Sequence, residues 1–496
     1  MKLLGKNKGI LILFLVALAL RAFLILTARG IASDGCAYVW FAQEIASGNF
    51  HEVFSSILPP LFPIFTTGVS YIFQDFELSG RIVSCLFGSL TVFPLFFLIR
   101  KIFDGKIALI TVLFFIVHPY LTQASGEVLT EALYFFFVTS IASLSWMAIQ
   151  KRNRLLFLAV GLLLSLISLT RFEGFSLVFL VLGWIWLTNP AKIRTEIGWK
   201  VTSSFLCIII FIIALFPYVL LVSKETGKLQ LCSRQEQLID AFFKPSSDNQ
   251  TPLQKAGKAL KHQISQNVPR IPFFLSKAYH PVFLLPLFFG IIGRRRFKGF
   301  KIGEAYILSF ILFRLTVLVV FQGINRRYLY AFIPMALCWA GTGFWEIDYR
   351  LREKFKDKGL SVGGYNISRF SIIILVAIMA ICLQRGLRPI RGHRSIQRKA
   401  GYWLKENAEK KHFTVVSPSP QEAFHAGAKW YELKGKTYVE VLSNAKKNEA
   451  DFIIIDKDID KICPDFRDSV KADDLEILTR KFEKSSKKIV IYKLRK

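Results

Sequence analysis

The chain has 496 residues, 53% of them hydrophobic and 14% aromatic, with a mean hydropathy of +0.41. Repeated apolar runs of about 20 residues exclude an ordinary soluble domain and mark a polytopic membrane protein. The formal charge of +30 would suit a nucleic-acid binder, but Lys and Arg gather in short loops between apolar runs, the positive-inside pattern, so no nucleic-acid partner is expected.

The first apolar run, 10–28, follows Lys2, Lys6 and Lys8. It exceeds a signal-peptide core of about 7–15 residues, so it reads as an uncleaved anchor with its N-terminus inside. Further spans are expected near 80–99, 105–120, 130–148, 155–170, 172–188, 201–222, 271–292, 303–321, 328–346 and 369–384, making about eleven. The inner loops are then RKIFDGK, QKRNR, NPAKIRTEIGWK, GRRRFKGFK and DYRLREKFKDK, each with basic residues in excess. As one helix, 155–188 would run about 50 Å, beyond a bilayer core of about 30 Å. It therefore reads as a hairpin with Arg171 and Glu173 at its outer apex. The short run 61–73 follows Pro59 and Pro60 and reads as a re-entrant or surface segment. Outer segments are 29–79, 121–129, the apex at Arg171, 223–270, 322–327 and everything after 385. Within 223–270 an amphipathic helix over 252–268 would rest on the membrane.

From about 392 the pattern changes. Candidate strands FTVVS (413–417), FIIID (452–456) and KKIVIYKL (487–494) alternate with helical stretches such as SIQRKAGYWLKENAEK. The fold class is thus an all-α polytopic membrane protein over 1–391 with a small soluble α/β domain over 392–496. That domain has neither a Gly-rich phosphate loop nor a nucleophile elbow, so it is read as shaping access or stability. The seven cysteines include no CxxC pair. Cys36, Cys232 and Cys463 would face outward and read as unpaired thiols.

The acids and arginines at the outer ends carry the chemistry. Asp34, Tyr38 and Ala42 recur every four residues and share one helix face. Asp34 also suits an N-cap, which is compatible with catalysis. Glu127 and Glu131 are again four apart, with Glu131 at the apolar boundary, where a carboxylate needs a partner or water. Arg21 lies inside the first span, Arg81 begins the second, Arg171 occupies the apex, and Arg326 and Arg327 precede the span at 328. One such arginine would read as snorkelling to headgroups; five on one face with acids fit an anionic lipid substrate, because guanidinium forks hold phosphate oxygens. Sugar transfer from a lipid phosphate needs one carboxylate to take the acceptor's proton and cations to hold the leaving phosphate.

Arg21, the Asp34–Tyr38–Ala42–Gly48 series, PPLFPIF, SGRIVSCLFGSL, HPYLTQASGEVLTEALYFFF, SLTRFEGF and RRYLYAFIPMAL occur in that order. Together, over roughly 10–346, they resemble the polyprenyl-phosphate-sugar-dependent glycosyltransferases of the GT-C superfamily, in the branch of protein O-mannosyltransferases and the lipid A aminoarabinose transferase. The resemblance implies Asp34 as the first-loop catalytic base and Glu131, with Glu127, as second-loop acids positioning acceptor or ion. It places Arg81, Arg171 and Arg327, with Arg326, near the donor phosphate, has Arg21 orienting Asp34, and has Tyr38, Pro59, Pro60 and Tyr328 lining the substrates. Expected partners are a polyprenyl-phosphate-linked sugar, a protein, lipid or glycan acceptor, and membrane lipid, with inverting transfer on the outer face of the cell membrane. Some relatives bind a divalent ion. Here Asp34 is followed by Gly35, and His51 and His118 are isolated and read as structural, so no metal ligand set is assigned. Two rival readings remain. A polysaccharide ligase or polymerase would put key Arg and His residues in 223–270; a lipid-sugar flippase would want a polar midplane cavity.

Overall fold

The computed structural model describes residues 2–54, 58–188, 193–227, 252–293, 301–357, 359–362, 365–456, 459–471, 473–484 and 487–495. The basic loops at 189–192 and 294–300, and residues 228–251 of the expected outer segment 223–270, Cys232 among them, lie outside the described residues. The chain divides into two compact units, Met1–Phe23 with Phe41–Leu387, and Leu24–Trp40 with Arg388–Lys496.

The first unit is helical. Among the described residues, six stretches are long and apolar enough to cross a bilayer: Lys8–Leu26, Phe76–Ile102, Glu131–Lys151, Ile197–Thr226, Ile302–Phe321 and Arg369–Gly386. Shorter apolar helices occupy Leu61–Phe73, Gly105–Val117, Leu156–Ser168 and Phe172–Leu187. The expected hairpin 155–188 is indeed two helices, broken where Arg171 adopts an extended backbone (φ −154°, ψ 133°).

Two expected spans differ in detail. The run 271–292 is not straight: the stretches Leu260–Tyr279 and Pro281–Ile292 are bent by 87° across the break at His280. His280 there has φ +67°, and the proline ring after it disfavours continuation of the helix. The segment expected at 328–346 begins as a short helix, Arg326–Leu329, and restarts as Ile333–Phe355. It carries its charged C-terminal turns straight into a small hairpin of β1 (Leu360–Val362) and β2 (Tyr365–Ile367).

In the second unit the sheet order is β4-β3-β5-β7-β6, from β3 (Thr414–Ser417), β4 (Lys429–Glu432), β5 (Phe452–Ile455), β6 (Leu475–Lys484) and β7 (Lys487–Leu494). β3 pairs in parallel with β4 and β5, and β7 antiparallel with β5 and β6. Alternation along each strand feeds two cores. Val415, Ile454 and Ile491 pack against the helix Ser395–Asn407 through Ile396, Ala400 and Leu404. Val416, Ile453 and Tyr492 pack against Val441, Leu442 and Ala445 of Tyr438–Lys447. Cys36 and Cys463 are both buried.

The short helix Gln421–Ala426 after β3 carries a buried carboxylate. Glu422 accepts a hydrogen bond from Ser419 Oγ at 3.3 Å, and its Oε1 has no partner among the described residues. Burial pushes its carboxyl from 4.5 up to about 7. Because the folded value is raised, the stability tied to this group is fully present below pH 4.5 and is lost as pH rises to about 7, a change of about 3 kcal/mol. Denaturant unfolding of this unit at pH 5 and pH 8 should show that loss in the wild type and not in Glu422→Gln. An equal loss in both would remove Glu422 as its source.

Candidate functional site

Glu131 opens the helix Glu131–Lys151, where a carboxylate complements the positive end of the dipole. The segment before it is shaped by the helix Phe76–Leu90, whose N-cap Asp75 accepts from Leu78 N at 2.9 Å. Arg81 donates from Nη2 (2.7 Å) and Nε (3.2 Å) to Glu77 Oε1, one turn away, and from Nη1 to the Gly126 carbonyl at 3.0 Å. Ser84 Oγ donates to the Leu129 carbonyl at 3.1 Å. A Cβ at Gly80 would lie 2.8 Å from Val128 Cγ1, so glycine there lets the turn 126–130 lie directly on this helix. The SGRIVSCLFGSL stretch is thus the bed on which Glu131 is placed.

Around Glu131 the first unit gathers an ionic cluster from four separate stretches. Glu131 Oε1 accepts from Arg327 Nε at 2.8 Å and Nη2 at 2.7 Å, and stands 3.8 Å from Arg171 Nη1. Arg171 Nη2 pairs with Glu173 Oε1 at 3.3 Å, and Arg314 Nη2 reaches the same oxygen at 3.5 Å. Tyr134, one turn beyond Glu131, presents its ring to both Arg171 (5.7 Å) and Arg314 (5.4 Å). Tyr328 lies 4.9 Å under Arg171. The Asn325 side chain caps the short helix Arg326–Leu329 by accepting from Arg327 N at 3.2 Å. The buried pair Pro59–Pro60 leads into Leu61, whose N–H bonds the Leu169 carbonyl at 3.0 Å and so braces the turn that carries Arg171.

Three guanidiniums against two carboxylates leave one net positive charge. Glu131 and Arg314 are each 4% exposed, whereas the Arg327 side chain is one-third exposed. Glu131 Oε2 and the Tyr134 hydroxyl are buried without hydrogen-bond partners among the described residues. A cationic group with one accessible guanidinium and aromatic flanks is equipped to receive an oxyanion.

The other expected residues fall elsewhere. Arg326 packs over Tyr120 at 4.3 Å, and Tyr120 stacks on Tyr330. Glu127 is half-buried in the turn before Glu131. Arg21 is fully buried; it donates to the Ala17 carbonyl at 3.1 Å and lies 5.1 Å from the Phe115 ring, and its Nε and Nη2 have no hydrogen-bond partner among the described residues. Asp34 belongs to the second unit, exposed, as the second residue of the helix Ser33–Ala46. The helix therefore begins one residue before Asp34, which is a first-turn acid and not its N-cap. Tyr38 lies buried one turn on. His51 bonds Glu225 at 2.5 Å, and His118 stacks on Phe283. Among the described residues no group of three or more His, Cys, Asp and Glu is gathered as a metal site.

Arg314 and Tyr134 are missing from the sequence reading, as is the part played by Glu173. Arg314 had a signal, since an ionisable residue inside an apolar span is a functional candidate by default. Tyr134 had a weaker one, its i+3 spacing from Glu131.

The fold is similar to that of solved membrane glycosyltransferases. It is similar to ArnT from Cupriavidus metallidurans bound to undecaprenyl phosphate, with a TM-score of 0.66 at 11% identity over 97% of this chain and 98% of that one. The Archaeoglobus fulgidus oligosaccharyltransferase gives 0.60 at 12% identity, over 90% of this chain and 68% of that one. The mycobacterial arabinofuranosyltransferase AftD gives 0.55 at 10% identity, over 99% and 40%. In sequence, the family described as dolichyl-phosphate-mannose-protein mannosyltransferase matches residues 58–216. None of the curated proteins matches the chain.

Removing Glu131 should leave Arg171 and Arg327 without their shared counter-charge. Breaking a fully buried pair costs about 3–5 kcal/mol; with Arg327 partly solvated, Glu131→Ala should cost about 2 kcal/mol. Thermal unfolding in detergent measures this, and an unchanged midpoint would mean that the pair does not hold the cluster.

Proposed function

We propose that the protein is a membrane glycosyltransferase that moves one sugar from a polyprenyl-phosphate donor to an acceptor, with inversion at the anomeric carbon. The observation that carries this reading is the cationic Arg171–Arg314–Arg327 cluster seated on Glu131 and Glu173. Its fit to a lipid phosphate is supported by the undecaprenyl phosphate held by ArnT. The positive-inside distribution of Lys and Arg supports an active side on the outer face of the cell membrane.

The chemistry follows from the charges. The acceptor oxygen attacks the sugar's anomeric carbon from the face opposite the phosphate. The bond between that carbon and the phosphate oxygen breaks, its electrons leave with the phosphate, and polyprenyl phosphate is released. A phosphate leaves without protonation, unlike the glycoside oxygen in hydrolysis, so the arginines need only stabilise charge that grows on it. The acceptor's proton passes to a carboxylate base, assigned to Asp34. Two guanidinium nitrogens of Arg327 already bond Glu131 Oε1. Glu131 serves to aim Arg327 and Arg171. The acceptor is a hydroxyl-bearing protein, lipid or glycan.

Asp34→Asn keeps size and most packing but cannot take a proton. Transfer by this variant should fall by roughly 10²–10⁴-fold while the lipid donor still binds; near-normal turnover would rule out Asp34 as base. Arg171→Ala and Arg327→Ala should each weaken donor use by roughly 10- to 150-fold, the loss of one charge-assisted phosphate contact, with acceptor KM little changed. Normal donor kinetics in both would detach the cluster from the phosphate.

A further inference from the structure

The segment that carries Asp34 is held by the C-terminal domain through a specific set of hydrogen bonds. Arg29 N donates to the Ile390 carbonyl at 3.0 Å, and Arg398 Nη1 to the Ala28 carbonyl at 3.4 Å. Gly30 passes so close to the start of the domain that a Cβ there would lie 3.0 Å from Arg394 Cβ and 3.2 Å from the Arg391 carbonyl. At Ser33, the first residue of the helix Ser33–Ala46, the contact becomes a cap. The Gln421 amide, oriented to satisfy its neighbours, has its oxygen 2.8 Å from Ser33 Oγ and 3.0 Å from Ser33 N, and its nitrogen 3.1 Å from Ser419 Oγ. Arg394 Nη1 reaches Ser33 Oγ at 3.4 Å.

The first N–H groups of a helix have no partner within it, and here no side chain next to the helix start is seen to serve Ser33 N. A glutamine 388 residues later in the chain does so. Gln421 is 1% exposed and opens the short helix Gln421–Ala426 that follows the carboxyl end of β3. β3 is the central parallel strand, with the chain crossing first to β4 and then back over to β5. In open α/β sheets such a switch point is where ligands bind. In this domain the crevice receives the chain's own residues 28–33.

We propose that Gln421 and Arg394 are positioning residues for Asp34: by capping the helix at Ser33 from the C-terminal domain, they fix the backbone that presents the base. This rests on the assignment of Asp34 above. The soluble domain then has a definite part in catalysis without supplying a reacting group.

The test is a kinetic cycle on the full-length protein in detergent, per mole of monodisperse folded protein. Gln421→Leu should lower kcat by roughly tenfold, as misplacement of a catalytic group does, with donor KM unchanged. Gln421→Glu, which keeps the acceptor for Ser33 and Arg394, should restore most of the rate. Ser33→Ala, which removes the hydroxyl contacts to Gln421 and Arg394 but keeps the N–H bond, should show a smaller loss in the same direction, and Ser33→Thr should recover it. In an Asp34→Asn background, Gln421→Leu should cost nothing further, because residues acting through one group are not additive. Full kcat in Gln421→Leu and Ser33→Ala, or an undiminished extra loss in the Asp34→Asn background, would overturn the proposal. If Asp34→Asn alone is normal, it is the assignment of the base that fails, a separate result.

Discussion

Two carboxylates, one buried and one half-buried, hold three arginines together, and the rest of the first unit is arranged to make that stable. Guanidiniums this close repel one another strongly in a low-dielectric setting. Glu131 and Glu173 each bridge two of them, and the rings of Tyr134 and Tyr328 cover the flat faces. The bridged oxygens come from the first turn of one helix and the turn between two others, so the geometry needs both placed accurately. Arg81, Ser84 and Gly80 do this for Glu131, and the Pro59–Leu61 corner does it for the chain next to Arg171. Residues that look like individual phosphate ligands in the sequence thus divide into those that form the cluster and those, like Arg81, that brace it.

The second unit works by different physics. Its sheet has two well-filled cores, and its polar groups gather at the carboxyl end of β3, where Gln421, Ser419, Glu422 and Arg394 lie around Ser33. A buried glutamine satisfied on both sides specifies one geometry. Glu422 beside it is costly to ionise, which ties this corner to pH.

The sequence shows the membrane class, the break at Arg171 and the interior strands because each follows from a strong periodicity or a length limit. FTVVS and FIIID are buried on both faces and read as strands at sight. KWYE (β4) and LEILTRKFEK (β6) do not, because they are edge strands with exposed, charged positions and no clean alternation. The bend at His280 is hidden because the apolar run continues across it, with only Pro281 to mark it. For the site, Glu131, Arg171, Arg327 and Tyr328 are found together by their shared end-of-span position. Arg314 is not, since it was counted as part of an apolar span. The Gln421–Ser33 cap joins positions 388 residues apart, and no local pattern in one sequence reveals a pairing of that range.

The central claim is that the arginine cluster serves a sugar carried on a single lipid phosphate. Purified protein given a panel of polyprenyl-phosphate and polyprenyl-diphosphate sugars tests it most directly, with released lipid and product linkage followed by mass spectrometry and NMR. The account expects consumption of a monophosphate donor, one polyprenyl phosphate released per sugar transferred, and the opposite anomeric configuration in the product. Transfer from a diphosphate donor alone, or retention of the donor's configuration, would contradict it.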